Sequence, residues 1–146
     1  MKVEIVKLDD FGRGICFVND KVTFVPNTVP GDIANIKIIK EHKKYNEAIL
    51  VDLVNPSSNR KDALCPYFGI CGGCTLQTLS YEKGIDYKKE KVINYFKKMG
   101  LIINPSLITN DTPYNYRNKI TLKVVNGVIG YFKLNRHSVV EIKKCI

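Results

Sequence analysis

The sequence has none of the features that mark a membrane, secreted or disordered protein. No apolar run approaches the roughly 20 residues that a membrane-spanning helix needs, and the first residues, Met1 to Glu4, do not begin a signal-peptide h-region. Internal repeats and low-complexity segments are absent. Hydrophobic residues make up 45% and charged residues 25% of the 146, as in folded proteins. We therefore expect a cytoplasmic protein with no membrane partner, built as one ordinary domain or two small ones.

Acidic residues are few compared with basic ones. The chain has 14 Asp and Glu against 23 Lys and Arg, which gives a formal net charge of +9. Residues 1–55 hold 8 basic and 8 acidic residues, so residues 56–146 carry the whole excess. Such a concentrated positive charge indicates a polyanionic partner, with nucleic acid first among them. Since Lys outnumbers Arg by 19 to 4, ordinary solvated lysines are the alternative explanation.

Cysteine is present in an odd number, which argues against a disulfide framework in a chain without a secretory signal. The five cysteines are Cys16, Cys65, Cys71, Cys74 and Cys145. Ligation of a metal, or simple burial, is the better first interpretation. Cys16 follows Gly14-Ile15 in a predicted strand, far from the others in sequence. We expect it to be a small buried hydrophobic residue outside any site.

The first 55 residues are rich in short β patterns. Strands are predicted over 2–8, 15–25, 32–40 and 48–54, with Asn19-Asp20-Lys21 as a turn inside the second run. Gly and Pro separate these strands and no helical period occurs among them. A small closed barrel of OB type is the expected fold, because closure removes the sheet edges. The polar stretch 55–60 marks the domain boundary.

The remaining residues predict one long helix and a small sheet. Apolar residues at spacings of 4, 7, 4 and 3 predict a helix from Tyr81 to Met99, capped by Ser80 and ended by Gly100. Asn126-Gly127 joins two β runs, 120–125 and 128–132, and therefore predicts a hairpin. A third strand is predicted over 139–142. The fold class is thus mainly β with one long helix: a barrel followed by a small α+β cysteine domain.

Three of the cysteines lie within ten residues, in the spacing C-x5-C-x2-C over 65–74. Cys145 is the better placed of the two distant cysteines to be a fourth ligand. Structural zinc sites usually have two separated C-x2-C pairs. Three clustered cysteines and a remote one, with Pro66 beside Cys65, match ligation of a [4Fe–4S] cluster better. Zinc, or cysteines that are buried without a ligand, are the alternatives.

These motifs together resemble a known family, the RNA (uracil-5-)-methyltransferases of the 23S rRNA type. The cysteine loop continues through Gln77 to Tyr81, and is followed by Tyr116-Arg117-Asn118-Lys119 and by the isolated Cys145. The first 55 residues resemble the TRAM domain that precedes that motif. The segments that carry this second resemblance are Phe11-Gly12-Arg13-Gly14-Ile15, Val25-Pro26 and Val29-Pro30-Gly31-Asp32.

The resemblance implies two domains and a cofactor. It implies an RNA-binding TRAM barrel over residues 1–55, followed by part of an iron–sulfur domain over 56–146. The [4Fe–4S] cluster would be held by Cys65, Cys71, Cys74 and Cys145. In such enzymes a further domain binds S-adenosylmethionine and supplies a cysteine nucleophile for C6 of uracil. No Gly-rich loop of that kind occurs here, so we expect no catalytic residue in this chain and no methylation by it alone.

Contacts with RNA, expected to be rRNA, are predicted for four residues. Arg13 lies in a Gly-flanked turn, whereas Tyr116, Arg117 and Lys119 precede the hairpin. Gln77 is expected to brace the backbone of the cysteine loop through its amide. In the family this helix would pack partly on the missing methyltransferase domain, so we expect exposed apolar surface at Ile85, Val92 or Phe96, or else self-association that covers it. Two other functions stay open: a four-cysteine zinc module that binds RNA, and a small iron–sulfur electron carrier.

Overall fold

The computed structural model describes residues 1–134 and 136–146, and its first 55 residues form one six-stranded sheet. The order across the sheet is β1-β5-β6-β4-β3-β2. All neighbours are antiparallel except β4 and β6, which run parallel. The strands are β1 (Lys2–Glu4), β2 (Lys7–Leu8), β3 (Gly14–Val18), β4 (Lys21–Val25), β5 (Ile33–Glu41) and β6 (Tyr45–Asn55).

The sheet closes into a barrel because its two outer strands belong to one stretch of chain. β1 pairs with β5 and β2 pairs with β3, yet only Ile5 and Val6 separate β1 from β2. The single strand predicted over 2–8 is therefore wrong in detail. The N–H of Ile5 still donates on the β5 side, to the carbonyl of Asp32 at 2.9 Å, whereas the N–H of Val6 donates on the β3 side, to the carbonyl of Ile15 at 2.9 Å. The break lets one segment pair on both sides, and the predicted OB-like barrel is confirmed.

Local turn chemistry sets the β3–β4 hairpin. Asn19 and Asp20 have φ of 50° and 59°, the left-handed values that a two-residue type I′ turn requires. Asn and Asp tolerate this conformation better than other non-glycine residues. Lys21 already belongs to β4, so the turn is one residue shorter than predicted.

The core fills the barrel. It consists of small and branched side chains that alternate along the strands, and its members are Ile5, Cys16, Val25, Ala34, Ile36 and Ala48. Cys16 is fully buried, as the sequence predicted, and burial raises the pKa of its thiol. The side chain is therefore a protonated packing group and takes no part in the site described below.

The long helix, α1 (Tyr81–Lys98), lies where its periodicity predicted it. The hydroxyl oxygen of Ser80 accepts from the backbone N–H of Lys83 at 3.4 Å, which is the expected N-cap. Gly100 ends the helix with φ of +80°, also as expected. Val92 is 43% exposed, and Ile85 and Phe96 are only half-buried, so the apolar face is open as predicted.

A three-stranded sheet follows, in the order β7-β8-β9. Its strands are β7 (Lys123–Val125), β8 (Val128–Phe132) and β9 (Val139–Glu141). Asn126 and Gly127 have φ of 51° and 78°, which confirms the predicted hairpin turn. The strand predicted from Ile120 begins only at Lys123. Residues 101–122 form no helix or strand. No helix among the described residues is long and apolar enough to cross a membrane.

Candidate metal centre and nucleic-acid surface

Four cysteines from two distant parts of the chain line one cavity. Cys65, Cys71 and Cys74 come from the cysteine loop (residues 65–74), and Cys145 comes from the segment after β9. The first three are half-buried and Cys145 is exposed. The remaining lining residues are Tyr67, Phe68, Gly73, Gln77, Arg117, Tyr131, Ile142, Lys144 and Ile146. All four candidate ligands predicted from the sequence thus lie around a common space.

Backbone turns fold the cysteine loop back on itself. The N–H of Phe68 donates to the carbonyl of Cys65 at 3.1 Å, and the N–H of Cys71 donates to the carbonyl of Tyr67 at 2.8 Å. The side-chain oxygen of Gln77 accepts from the N–H of Cys65 at 3.3 Å. Gln77 therefore braces the start of the loop, as the sequence predicted. These hydrogen bonds fix the backbone of the loop and thereby the positions from which its three thiols extend.

The sheet β7–β9 is attached to this loop by hydrogen bonds. Gly72 donates its N–H to the carbonyl of Phe132, and Leu134 donates to the carbonyl of Ile70, both at 2.9 Å. A Cβ at Gly72 would lie 3.1 Å from the carbonyl oxygen of Phe132, so this close approach favours glycine. The backbone N–H of Lys143 donates to the hydroxyl of Tyr67 at 3.3 Å. The last bond holds the segment that carries Cys145 against the loop.

Burial and the neighbouring thiols disfavour ionisation of Cys71 in the cavity. Burial raises the pKa of Cys71; the N–H of Gly73, 3.4 Å from its sulfur, lowers it, and the other three cysteines raise it further. Burial also raises the pKa of Tyr131, and the charge of Cys145 adds to this effect. Several thiolates in one cavity repel each other, and bound metal removes that repulsion.

The four thiols surround the cavity without meeting at one point. In the described part of the chain, no three His, Cys, Asp or Glu side chains are placed so that they could hold a single metal ion. A tetrahedral zinc site brings its sulfurs to about 2.3 Å from one centre. The donor set is four thiols from a Gly-containing loop and a remote segment, a ligand type that both zinc and iron–sulfur groups accept.

The predicted RNA contacts fall into two groups. Arg13 lies on the barrel, where its guanidinium pairs with the carboxylate of Asp9 at 2.6 Å and covers the ring of Phe24 at 4.2 Å. Tyr116, Arg117 and Lys119 are exposed and lie in the segment before β7. The Nε of Arg117 donates to the hydroxyl of Tyr116 at 3.3 Å, a bond that raises the pKa of the guanidinium. Arg117 also lines the cysteine cavity.

A buried ion pair that no sequence pattern predicted joins the barrel to the following segment. The carboxylate of Asp32 has no exposed surface, and Arg60 Nη2 lies 2.6 Å from its Oδ2. Asp32 also accepts from the N–H groups of Val29 and Ser57 at 2.8 and 3.0 Å. Burial raises the pKa of Asp32, but its bonds to Arg60 and these two N–H groups outweigh burial and lower the pKa. The only local signal was the turn sequence Pro30-Gly31-Asp32.

Comparison with known proteins identifies the barrel first. Residues 1–51 match the TRAM domain family. Across 96% of its length the chain is 34% identical to an uncharacterised RNA methyltransferase of Clostridium acetobutylicum, of which it covers 33%. It is 36% identical to the 23S rRNA (uracil(1939)-C(5))-methyltransferase of Francisella tularensis subsp. novicida, over 99% of this chain and 34% of that relative.

A solved structure supports the same assignment. The Pyrococcus abyssi tRNA (uracil-54, C5)-methyltransferase, determined with S-adenosyl-L-homocysteine, matches with a TM-score of 0.67 and 27% identity. The match covers 99% of this chain and 32% of that one. Barrel, cysteine loop and comparisons together define a TRAM-containing relative of RNA-modifying enzymes. Along nearly its whole length the chain is similar to RNA (uracil-5-)-methyltransferases, and it spans about one third of the length of these relatives.

Proposed function

We propose that this chain is the RNA-binding, cluster-bearing part of a cytoplasmic, S-adenosylmethionine-dependent RNA (uracil-5-)-methyltransferase that acts on rRNA. The observation that carries the proposal is one cavity lined by Cys65, Cys71, Cys74 and Cys145 beside a TRAM barrel. The relatives named for uracil methylation are about three times as long as this chain. We assign S-adenosylmethionine binding and methyl transfer to the part of their length that it does not span.

The cofactor proposed for the cavity is a [4Fe–4S] cluster. When bound, it would supply four iron–thiolate bonds that cross-link the cysteine loop to the segment of Cys145. The chain's own groups prepare the site: Gly73 directs its N–H at the sulfur of Cys71, and Arg117 and Lys144 bring positive charge to the lining. These groups oppose the effect of burial, which raises the pKa of Cys71. A structural role in presenting RNA accounts for such a site without any electron transfer.

The exposed apolar face fits a partner domain on the same polypeptide. It includes Val92, Tyr95 and Met99 near the end of α1, and continues into Leu101 and the almost fully exposed Ile102. Exposed apolar patches of this kind mark interaction surfaces. The methyltransferase domain is our proposed occupant, and self-association would take its place when that domain is absent.

Anaerobic reconstitution tests the cofactor. The chain is incubated with iron and sulfide, and the visible absorption from thiolate-to-iron charge transfer is recorded with the iron, sulfide and zinc contents. We expect four irons per chain, lost in Cys71→Ser and kept in the control variant Cys16→Ala. A colourless protein with one zinc per chain would contradict the cluster and support the alternative of a four-cysteine zinc module.

Binding of labelled single-stranded rRNA segments, followed by fluorescence anisotropy, tests the partner. We expect binding that weakens steeply with salt, because the excess charge would displace counterions from phosphates. A cluster-containing chain with no affinity for RNA would instead support the electron carrier.

A further inference from the structure

A second cleft lies where the barrel meets the cysteine loop. Its barrel wall comes from the loop between β2 and β3 (residues 9–13) and the turn after β4. Its other wall comes from the cysteine loop, the adjoining Thr75 and the segment just after β8. The lining residues are Phe11, Gly12, Arg13, Pro26, Asn27, Cys71, Cys74, Thr75 and Leu134.

Phe11 stands out in this cleft because 73% of it is exposed. An aromatic ring left in water gives up the stabilisation that its burial would provide. The core of the barrel is complete without it, since Phe11 contributes nothing to the buried cluster. Folding therefore does not explain the ring.

The backbone beneath Phe11 is nevertheless tightly held. The carboxylate of Asp9 accepts from the N–H of Phe11 at 2.9 Å and from the N–H of Arg13 at 2.8 Å. The N–H of Gly12 donates to the carbonyl of Asp9 at 3.0 Å. Arg13 is itself fixed between the carboxylate and the ring of Phe24, and its guanidinium lies 5.5 Å from the ring centre of Phe11.

Helix α1 holds the same loop from outside. The hydroxyl of Tyr87 donates to the carbonyl of Asp9 at 2.7 Å, and the Nζ of Lys91 donates to the carbonyl of Asp10 at 2.6 Å. A Cβ at Gly12 would lie 3.0 Å from Thr75 Oγ1, so the loop also touches the segment after the cysteine loop. Helix α1 and the segment after the cysteine loop thus both contact a loop whose aromatic ring is open to solvent.

We propose that Phe11 is a stacking platform for an unpaired base of the bound RNA, with the base entering the cleft between barrel and cysteine loop. A rigid aromatic ring binds a base without first being ordered, and stacking is how proteins hold single-stranded RNA. Asn27 and Thr75 offer amide and hydroxyl groups in the lining for the edge of that base. Arg13 becomes a positioning residue that supports the ring, because its charge is already paired with Asp9. This inference rests on the proposed function, since it takes RNA as the ligand.

The chain has no tryptophan, so one introduced indole reports on a single position. We compare Phe11→Trp with Phe17→Trp; Phe17 is a 55% exposed phenylalanine of the barrel that does not line the cleft. Each variant is titrated with a single-stranded rRNA segment while anisotropy of the labelled RNA reports total binding. Stacking predicts strong quenching of the indole at position 11 and little at position 17.

Affinity gives an independent measurement. Phe11→Leu should bind the same RNA about tenfold more weakly than the wild-type chain does. Phe17→Leu should bind it with wild-type affinity. Thermal unfolding should be unchanged in both variants. Heparin, a polyanion without bases, should not quench Phe11→Trp. Undiminished affinity of Phe11→Leu, or equal quenching by heparin, overturns the inference and leaves the proposed function intact. Absence of any RNA binding by the wild-type chain overturns both.

Discussion

The barrel and the cysteine region are stabilised in different ways. Eight of the nine buried apolar residues among those described lie within residues 1–55, and the ninth is Leu79. Residues 56–146 have almost no apolar core, yet they carry the entire net charge of +9. A sheet closed around a core is sufficient for a small β domain. Residues 56–146 are held mainly by hydrogen bonds around four thiols, and the proposed cluster would cross-link them further.

The largest effect should separate these two regions by means of their cysteines. Cys71→Ala should remove the cluster and with it the protection of backbone amides in the cysteine loop and in β7–β9, while the barrel stays folded. Cys16→Ala should do the reverse: it should destabilise the barrel by about 1 kcal/mol, because it leaves a small cavity, and retain the iron. Hydrogen exchange resolved along the chain measures both. Loss of protection throughout the chain in Cys71→Ala would show that the barrel does not stand alone.

The next effect concerns the ion pair that joins the regions. Asp32→Asn should cost about 3 kcal/mol at neutral pH, because it leaves Arg60, only 14% exposed, without its carboxylate. The control is Asp52→Asn on the barrel surface, which should cost less than about 0.5 kcal/mol. Denaturant unfolding of both variants provides the comparison. Equal costs would mean that the buried pair contributes nothing special.

The pH dependence of the Asp32 effect has a definite sign. The folded-state pKa of Asp32 is lowered, so its contribution is fully present above the unfolded-state value of about 3.9. The contribution is lost as the pH falls through the lower folded-state pKa. The stability difference between wild type and Asp32→Asn should therefore be constant above about pH 5 and shrink below about pH 4. A difference that grew on acidification would contradict the assignment.

How far sequence predicts this structure follows from the range of each interaction. The turn at Asn126-Gly127 and the cap at Ser80 depend on residues within a few positions, and both were predicted correctly. Residue types and spacing also predicted that Cys145 belongs with the cysteine loop, and the structure places it in the same cavity. The ion pair of Asp32 and Arg60 spans 28 positions, and neither residue belongs to a periodic pattern. The break in the first strand was missed because Ile5 and Val6 themselves favour strand; only the pairing on both sides requires the break.

A smaller effect tests how tightly barrel and cysteine loop are joined. Gly12→Ala meets two penalties: φ of +79°, and a Cβ 3.0 Å from Thr75 Oγ1 and 3.1 Å from Leu76 Cδ2. We expect a loss of about 2 kcal/mol. Gly127→Ala is the matched control, since it has φ of +78° and no atom within 4 Å, and should cost about 1 kcal/mol. The difference between the two unfolding free energies isolates the steric cost of the close approach, and a difference of zero would show that the side chains of Thr75 and Leu76 move aside for the added methyl group.

The smallest expected effect concerns which region attracts RNA. Arg117 is exposed in the charged region, whereas Lys37 is exposed in the neutral barrel, and either change to Gln removes one positive charge. If Arg117 contacts a phosphate, Arg117→Gln should make the negative slope of log affinity against log salt shallower by about 0.7. It should also weaken binding about fivefold near 0.1 M salt. Lys37→Gln should leave both quantities unchanged, because we expect no contact between this side of the neutral barrel and an RNA phosphate. Anisotropy titrations at four salt concentrations measure the slopes. Equal slopes for Arg117→Gln and the wild-type chain would show that Arg117 does not contact an RNA phosphate. A shallower slope for Lys37→Gln would extend the RNA-binding surface to the barrel strands.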